Sequence, residues 1–302
     1  MDTQSDGLVS LDATGPSWRG GAASIALLTF AVDGETPVLA AGRRYAANAM
    51  AMSHQAYDTR KGLPRLLGIL DEFSIKATFF VPGLIAERYP ASVTSIVEHG
   101  HEVAHHSYSH RRPTDLTRPQ EHEEFERGME ALDSLGIRPS GYRSPMWSPT
   151  WDSAELASEF GLKYDTSLMD DDTPYVIETE RGSLVELPPH WSLDDWEQYA
   201  YLPEPYLGNV IEPPQKALEL WTAELDGMRE WGGLFQLTAH SFLSGRPGRA
   251  RNLRQLITTI LERGDVEFRT GAQLYEAVLA DRTLERRTQR PFDVDKDTYP
   301  TW

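Results

Sequence analysis

Five of the nine histidines in this 302-residue chain fall between His99 and His110. Imidazole binds metals and carries protons near neutral pH, so the cluster is a first place to look for chemistry. Two pairs share a His-x3-His spacing, His101 with His105 and His106 with His110. On a helical turn either pair would present both rings on one side. Spacing leaves that choice open, and a polar surface loop is an equal reading. Asp33 follows the apolar run from Ser24 to Phe30 and precedes Gly34, a pair that also suits a plain turn. Arg143 and His240 each stand at the end of a further short run. One Asp and two His would make an open nitrogen and oxygen metal site with room for water and substrate.

The composition narrows the alternatives. No cysteine is present, which removes disulfides, thiolate nucleophiles and Cys-based metal sites. Any metal must be held by His and carboxylates. Lys and Arg number 29 against 46 Asp and Glu, a formal charge of −17. That argues against nucleic acid or an anionic membrane as a partner through bulk electrostatics. The first residues lack a basic stretch, and the apolar segment from Ala22 to Val32 is short and broken by Ser24 and Thr29. A soluble, cytoplasmic protein is expected.

The elements that must position these residues follow from periodicity. Ser24 to Phe30 reads as a strand buried on both faces. Leu63, Leu66, Leu67, Leu70 and Phe73 recur at helical spacing, and Ala77 to Val81 is a strand stopped by Pro82-Gly83. A helix around Val93, Ile96 and Val97 ends at Gly100, and Glu102 to Ala104 leads into the histidines. Thr117 and Gln120 form a capping box for an acidic helix, read as a solvated face, that ends at Gly136. Strands at Gly141 to Arg143, Leu184 to Leu187, Leu234 to Ala239 and Val266 to Phe268 alternate with further helices. The Trp-, Asp- and Pro-rich stretch before Pro213 is too long for an ordinary connection, which suggests function. Alternation predicts a parallel α/β fold; the buried first strand and the chain length favour a barrel over a doubly wound sheet, and the lack of a glycine-rich phosphate loop after the first strand weakens the nucleotide-binding form of the latter. The expected organisation is an arm over residues 1–23, a barrel over 24–281 and an extension over 282–302. In such a barrel the site lies at the C-terminal ends of the strands. Asp33, His106, His110, Arg143 and His240 all fall there.

Ala77 to Gly83, Gly100 to His110, Tyr142-Arg143-Ser144-Pro145 and Leu237-Thr238-Ala239-His240 occur in this order. Through them the chain resembles the polysaccharide deacetylase superfamily (NodB homology, carbohydrate esterase family 4) from about residue 24 to about residue 280. Tyr164 to Tyr175 and Glu186 to Trp196 are similar to its peptidoglycan deacetylase, allantoinase and cyclic-imidase branch. The resemblance implies a distorted (β/α)7 barrel and a homo-oligomer, dimer or tetramer. It selects Asp33, His106 and His110 as ligands of a divalent metal, Zn²⁺ expected, that polarises a carbonyl and activates water. His240 would be the general acid, and Arg143 would orient the carboxylate base. Tyr142, Ser144, Trp191 and Asp195 are candidate substrate contacts, although the Trp191 to Trp196 loop also reads as an anchor. The base is expected as an Asp beside Asp33 or two residues before it, where the chain has Val32 and Ala31. Alternate strand residues share a face, so Ala31 and Asp33 should both point into the mouth. Either Ala31 replaces the base, or the protein uses Glu35 or works without one. The expected function is hydrolysis of a non-peptide C–N bond, with a small amide or cyclic imide favoured over N-deacetylation of a polysaccharide or peptidoglycan. A non-catalytic, metal-containing binding protein is the competing class.

Overall fold

The computed structural model describes residues 17–294 and 298. Seven parallel strands form the barrel: β1 (Ser24–Ala31), β2 (Thr78–Val81), β3 (Glu102–His105), β4 (Gly141–Tyr142), β5 (Tyr164–Asp165), β6 (Gly182–Glu186) and β7 (Leu234–His240). Their order is β7-β1-β2-β3-β4-β5-β6. The ring closes between the segment after β6 and β7 through one bridge, Asp194 to Thr238, where Asp195 N–H donates to the Thr238 carbonyl at 3.0 Å. A closure that narrow makes the barrel distorted, and it excludes the open doubly wound sheet.

β1 shows how the sequence builds both sides of the wall. Ala26, Leu28, Phe30 and Val32 join the apolar layer under the helices. Ile25 and Leu27 join a separate cluster inside the barrel. Thr29, Ala31 and Asp33 continue that inward file by the two-residue period of a strand. β7 repeats the pattern, with Leu234 in the inner cluster, Phe235, Leu237 and Ala239 in the outer layer, and Gln236, Thr238 and His240 continuing inward. Each file is apolar at the floor and polar at the mouth. The strand Val266–Phe268 pairs with residues 24–26 of β1, below the segment 29–31 that pairs with β2.

Residues 1–16 of the expected arm lie outside the described residues. Trp18, near its end, is fully buried in the barrel floor with Leu274 and Val278, and its backbone N–H donates to Asp281 Oδ2 at 3.1 Å. The strand Tyr175–Thr179 runs antiparallel to β6, and Arg286–Arg287 adds a short parallel edge to it. Part of the expected extension is therefore sheet. Its residues 295–297 and 299–302 lie outside the described residues. β5 escaped the sequence reading because two residues carry no periodicity. The long Trp-rich stretch resolves into a turn at Trp191–Leu193, a helix at Trp196–Tyr199 and a hairpin of Tyr201–Pro203 and Tyr206–Asn209. Leu202 of the hairpin packs with Val38 and Ala51 beside the barrel mouth.

The acidic helix, Arg118–Asp133, starts at the expected capping box. It is not solvated on every face, because Glu121, Glu124, Phe125 and Gly128 are buried. A Cβ at Gly128 would lie 2.3 Å from His105 Cε1 and 2.7 Å from the Ser107 carbonyl oxygen. Only glycine lets this helix approach the histidine segment so closely. Among the described residues no helix is long and apolar enough to cross a membrane.

Candidate active site and metal centre

Asp33, His106 and His110 converge at the barrel mouth. His106 Nε2 lies 3.6 Å from Asp33 Oδ1, and His110 Nε2 lies 3.6 Å from Asp33 Oδ2. All three are buried, and neither Asp33 oxygen has a hydrogen-bond partner among the described residues. A buried carboxylate with both oxygens unsatisfied is costly unless a cation takes them. His106 Nδ1 sits 2.7 Å from the Arg143 carbonyl oxygen. A proton on Nδ1 donated there leaves Nε2 as a free lone pair facing Asp33. Burial, with the neighbouring His110 for His106, holds both imidazoles below their ordinary pKa and so in the neutral, ligating form. The donor set fits a divalent metal.

The convergence does not come from a helical turn, as the spacing suggested. His106 to His110 is a loop with Ser107 at φ 62° and His110 at φ 61°. Glu124 holds it, accepting from Ser107 Oγ (2.7 Å), Tyr108 N (3.1 Å), Ser109 N (2.7 Å), Ser109 Oγ (2.6 Å) and Arg111 Nε (3.0 Å). Burial pushes the Glu124 pKa up, but these donors outweigh it and hold the carboxylate below its ordinary value. The sequence reading missed this residue; its signal was an acid on the same helix face as Phe125, Gly128 and Leu132. Asp58 was also missed. Its Oδ2 accepts the Gly34 N–H at 2.7 Å and so fixes the turn that follows Asp33. His101 and His105 are excluded as ligands by their surroundings. His101 packs on Phe79, and His105 lies against Phe125 and Tyr142 on the outer side of the wall.

His240 stands across the mouth, with Nε2 3.9 Å from Asp33 Oδ2. Its Nδ1 is 2.7 Å from Asp195 Oδ1, and its backbone N–H donates to the same carboxylate. Burial disfavours the imidazolium, but the Asp195 hydrogen bond and charge, with Asp194 and Asp33 behind, push its pKa up to about 9. Asp194, Asp195 and His240 also cluster closely enough to hold an ion. Both Asp195 oxygens are already taken, by His240 and by Ser244 Oγ, whereas those of Asp33 are not. Of the two groups, Asp33, His106 and His110 is the one whose free carboxylate oxygens fit a metal.

A cavity of about 170 Å³ opens above the trio. Ala31, Arg143, Ser144, Trp191, Asp194 and Thr238 are in its wall, together with Trp147, Trp196 and Leu207. Two expected substrate contacts are corrected. Tyr142 is fully buried and points outward against Phe125, because strand alternation sends Arg143 inward and Tyr142 the other way. Asp195 is also fully buried and is a partner of His240, not a wall of the cavity. Glu35 is no candidate base, since it lies outside the cavity wall and accepts from Tyr89 Oη at 2.5 Å. Arg143 has no carboxylate to orient; its Nη2 donates to Thr29 Oγ1 at 3.0 Å and to Thr166 Oγ1 at 3.3 Å.

Comparison with known proteins shows the family and the fold. Residues 52–164 match the polysaccharide deacetylase family. The peptidoglycan deacetylase of Helicobacter pylori is 32% identical over 213 residues, which is 62% of this chain and 73% of that protein. A solved structure of a Mycobacterium smegmatis protein assigned to the polysaccharide deacetylases is 46% identical, with a TM-score of 0.89 over 93% of this chain and 99% of that one. The Puue allantoinase shares the fold at a TM-score of 0.77 and 21% identity, over 94% of this chain and 100% of that one.

Proposed function

Because the chain belongs to the polysaccharide deacetylase family, and is a hydrolase of that kind, we propose that it removes the acetyl group from an N-acetylated amino sugar of a polysaccharide or peptidoglycan. The observation that carries this reading is the Asp33, His106 and His110 trio facing His240 across one cavity. The sequence alone favoured a small amide or cyclic imide. The 32% identity to a peptidoglycan deacetylase supports the polymer alternative better than a fold shared with allantoinase at 21% identity. One feature keeps the small substrate as a second reading: Leu207 of the hairpin and Pro37 both wall the cavity, which narrows the mouth towards a compact ligand.

Asp33, His106 and His110 would hold a divalent ion, which we assign as Zn²⁺. When bound, it supplies a Lewis acid for the scissile carbonyl and lowers the pKa of water. His240, kept protonated by Asp195, is placed to give its Nε2 proton to the leaving amine. Trp147, Trp191 and Trp196 offer flat apolar faces to a sugar ring. Ala31 supplies no proton acceptor, so turnover by the chain as it stands is slow.

The test is a substrate panel on metal-loaded protein. It contains N-acetylglucosamine oligomers and peptidoglycan fragments beside phthalimide, succinimide, dihydrouracil and allantoin. Acetate release from the sugars supports the proposal. Turnover confined to the small amides replaces it with the second reading, and none at all, also with Asp at position 31, favours a metal-containing binding protein.

A further inference from the structure

Arg143 is a buried cation with unused donors. Only 2% of the residue is exposed, yet Nε and Nη1 have no hydrogen-bond partner among the described residues, and none of the ion pairs there includes it. A guanidinium stays cationic at neutral pH. The rings of Phe80 and Trp147 lie 4.1 and 4.6 Å from the guanidinium carbon. They offset part of the desolvation and hold the group in place, but supply no anion. A buried charge that lacks a close anion is costly.

The place an anion would take can be read from β1. Nη2 is tied to Thr29, two residues before Ala31 on the same inward face. The guanidinium is therefore anchored one layer below Ala31, and both residues wall the cavity. Alanine puts a single methyl group at that corner. Ser144, buried beside Tyr142, lines the same cavity.

The geometry points to a site for a small carboxylate anion in the corner between Ala31 and Arg143, with the guanidinium as its binding group. A carboxylate accepts at several lone pairs, and charge-assisted bonds to guanidinium are among the stronger hydrogen bonds in proteins. Formate and acetate have the size of the side chain that alanine lacks. Acetate is also the acid that the proposed deacetylation releases, and this one point rests on that reading; the site itself does not.

Titration calorimetry of the full, metal-loaded chain with formate and with acetate tests the inference, with chloride at matched ionic strength as the control. Saturable binding is expected with Kd on the order of millimolar, at least about tenfold tighter than chloride. In A31D the new carboxylate fills the corner, so binding weakens about tenfold or more, and R143Q does the same if it folds. Binding that is unchanged in A31D would place the anion on the metal trio and overturn the assignment. So would the absence of saturable binding to folded wild-type protein. If carboxylates bind while neither wild type nor A31D hydrolyses an N-acetyl sugar, the functional reading fails and this one stands.

Discussion

Glu124 grips Ser109 with both carboxylate oxygens, one accepting the backbone N–H at 2.7 Å and the other the hydroxyl at 2.6 Å. Ser109 immediately precedes His110. One acid on a helix outside the barrel thus fixes the loop that carries two of the three proposed metal ligands. Removal of such an outer partner typically costs 10–100-fold in metal affinity. E124A should therefore bind metal about 10–100-fold more weakly, while H106A loses it altogether. Elemental analysis and competitive chelation measure both. Equal metal content in wild type and H106A would end the assignment of the trio.

The pair of His240 and Asp195 leads to a pH prediction. His240 donates as the imidazolium, so activity should fall as pH rises through its pKa. Asp195 is the main reason that this pKa lies up near 9. D195N removes that charge, and the alkaline limb of the rate profile should move to lower pH with metal content unchanged. H240A should lose turnover at every pH and also keep its metal. If D195N left the limb where it is, Asp195 would not be the positioning residue of His240; loss of metal in H240A would make His240 a ligand.

What the sequence disclosed and what it hid have the same cause. Long buried strands such as Ser24–Ala31 and Leu234–His240 write their period into the chain, so the barrel and the strand-end residues Asp33, Arg143 and His240 were legible. Tyr142 was misplaced because a two-residue strand, Gly141–Tyr142, does not reveal which of its residues faces inward. Glu124 and Asp58 were hidden because each acts on backbone groups distant in sequence. The helix face that Glu124 shares with Phe125, Gly128 and Leu132 marks it as buried but does not name the loop N–H groups it holds. Asp195 was noticed but misread, since its contact with His240 spans 45 residues of chain.

Asp165 and Glu186 are neighbouring buried carboxyl groups on β5 and β6. Burial pushes Asp165 up to about 6 against the hydrogen bonds from Ser167 and Thr166. Burial, then the charge of Asp165, pushes Glu186 well above its ordinary value. Both folded-state pKa values exceed the unfolded ones. The folded state therefore holds extra protons, and stability present below about pH 4 is lost as pH rises through 6 and beyond. The slope is at most about 1.4 kcal/mol per pH unit for each proton. In E186Q the amide oxygen can still accept from Ser167 N and Leu168 N, while the charge is gone. The melting temperature of E186Q relative to wild type should be higher at pH 8 than at pH 5. Calorimetry at the two pH values checks this, and an equal difference at both would mean that the pair does not titrate in this range.

Ala31 is the position where one substitution should change the most. It lies in the cavity wall with Asp33, His106 and His240, and it pairs in register with His240 of β7. Its inward neighbour Thr29 holds Arg143 Nη2, so a carboxylate at 31 would stand beside a buried guanidinium with free donors. That contact would hold the carboxylate ionised, as a proton acceptor must be. Of the acids in the cavity wall, Asp194 is already engaged by Trp147 Nε1 at 2.8 Å and Trp196 N at 2.8 Å, Asp33 belongs to the proposed metal trio, and Glu197 is exposed. General-base catalysis is worth about 10²–10⁴ in rate. A31D should therefore raise hydrolysis of the best substrate by about a hundredfold or more, with metal content unchanged. Steady-state rates alone do not separate a new base from a tighter site. The pH profile does, because a base at 31 adds an acid limb that wild type lacks. A variant no faster than wild type, or faster with no new limb, would mean that Ala31 does not stand in for the base.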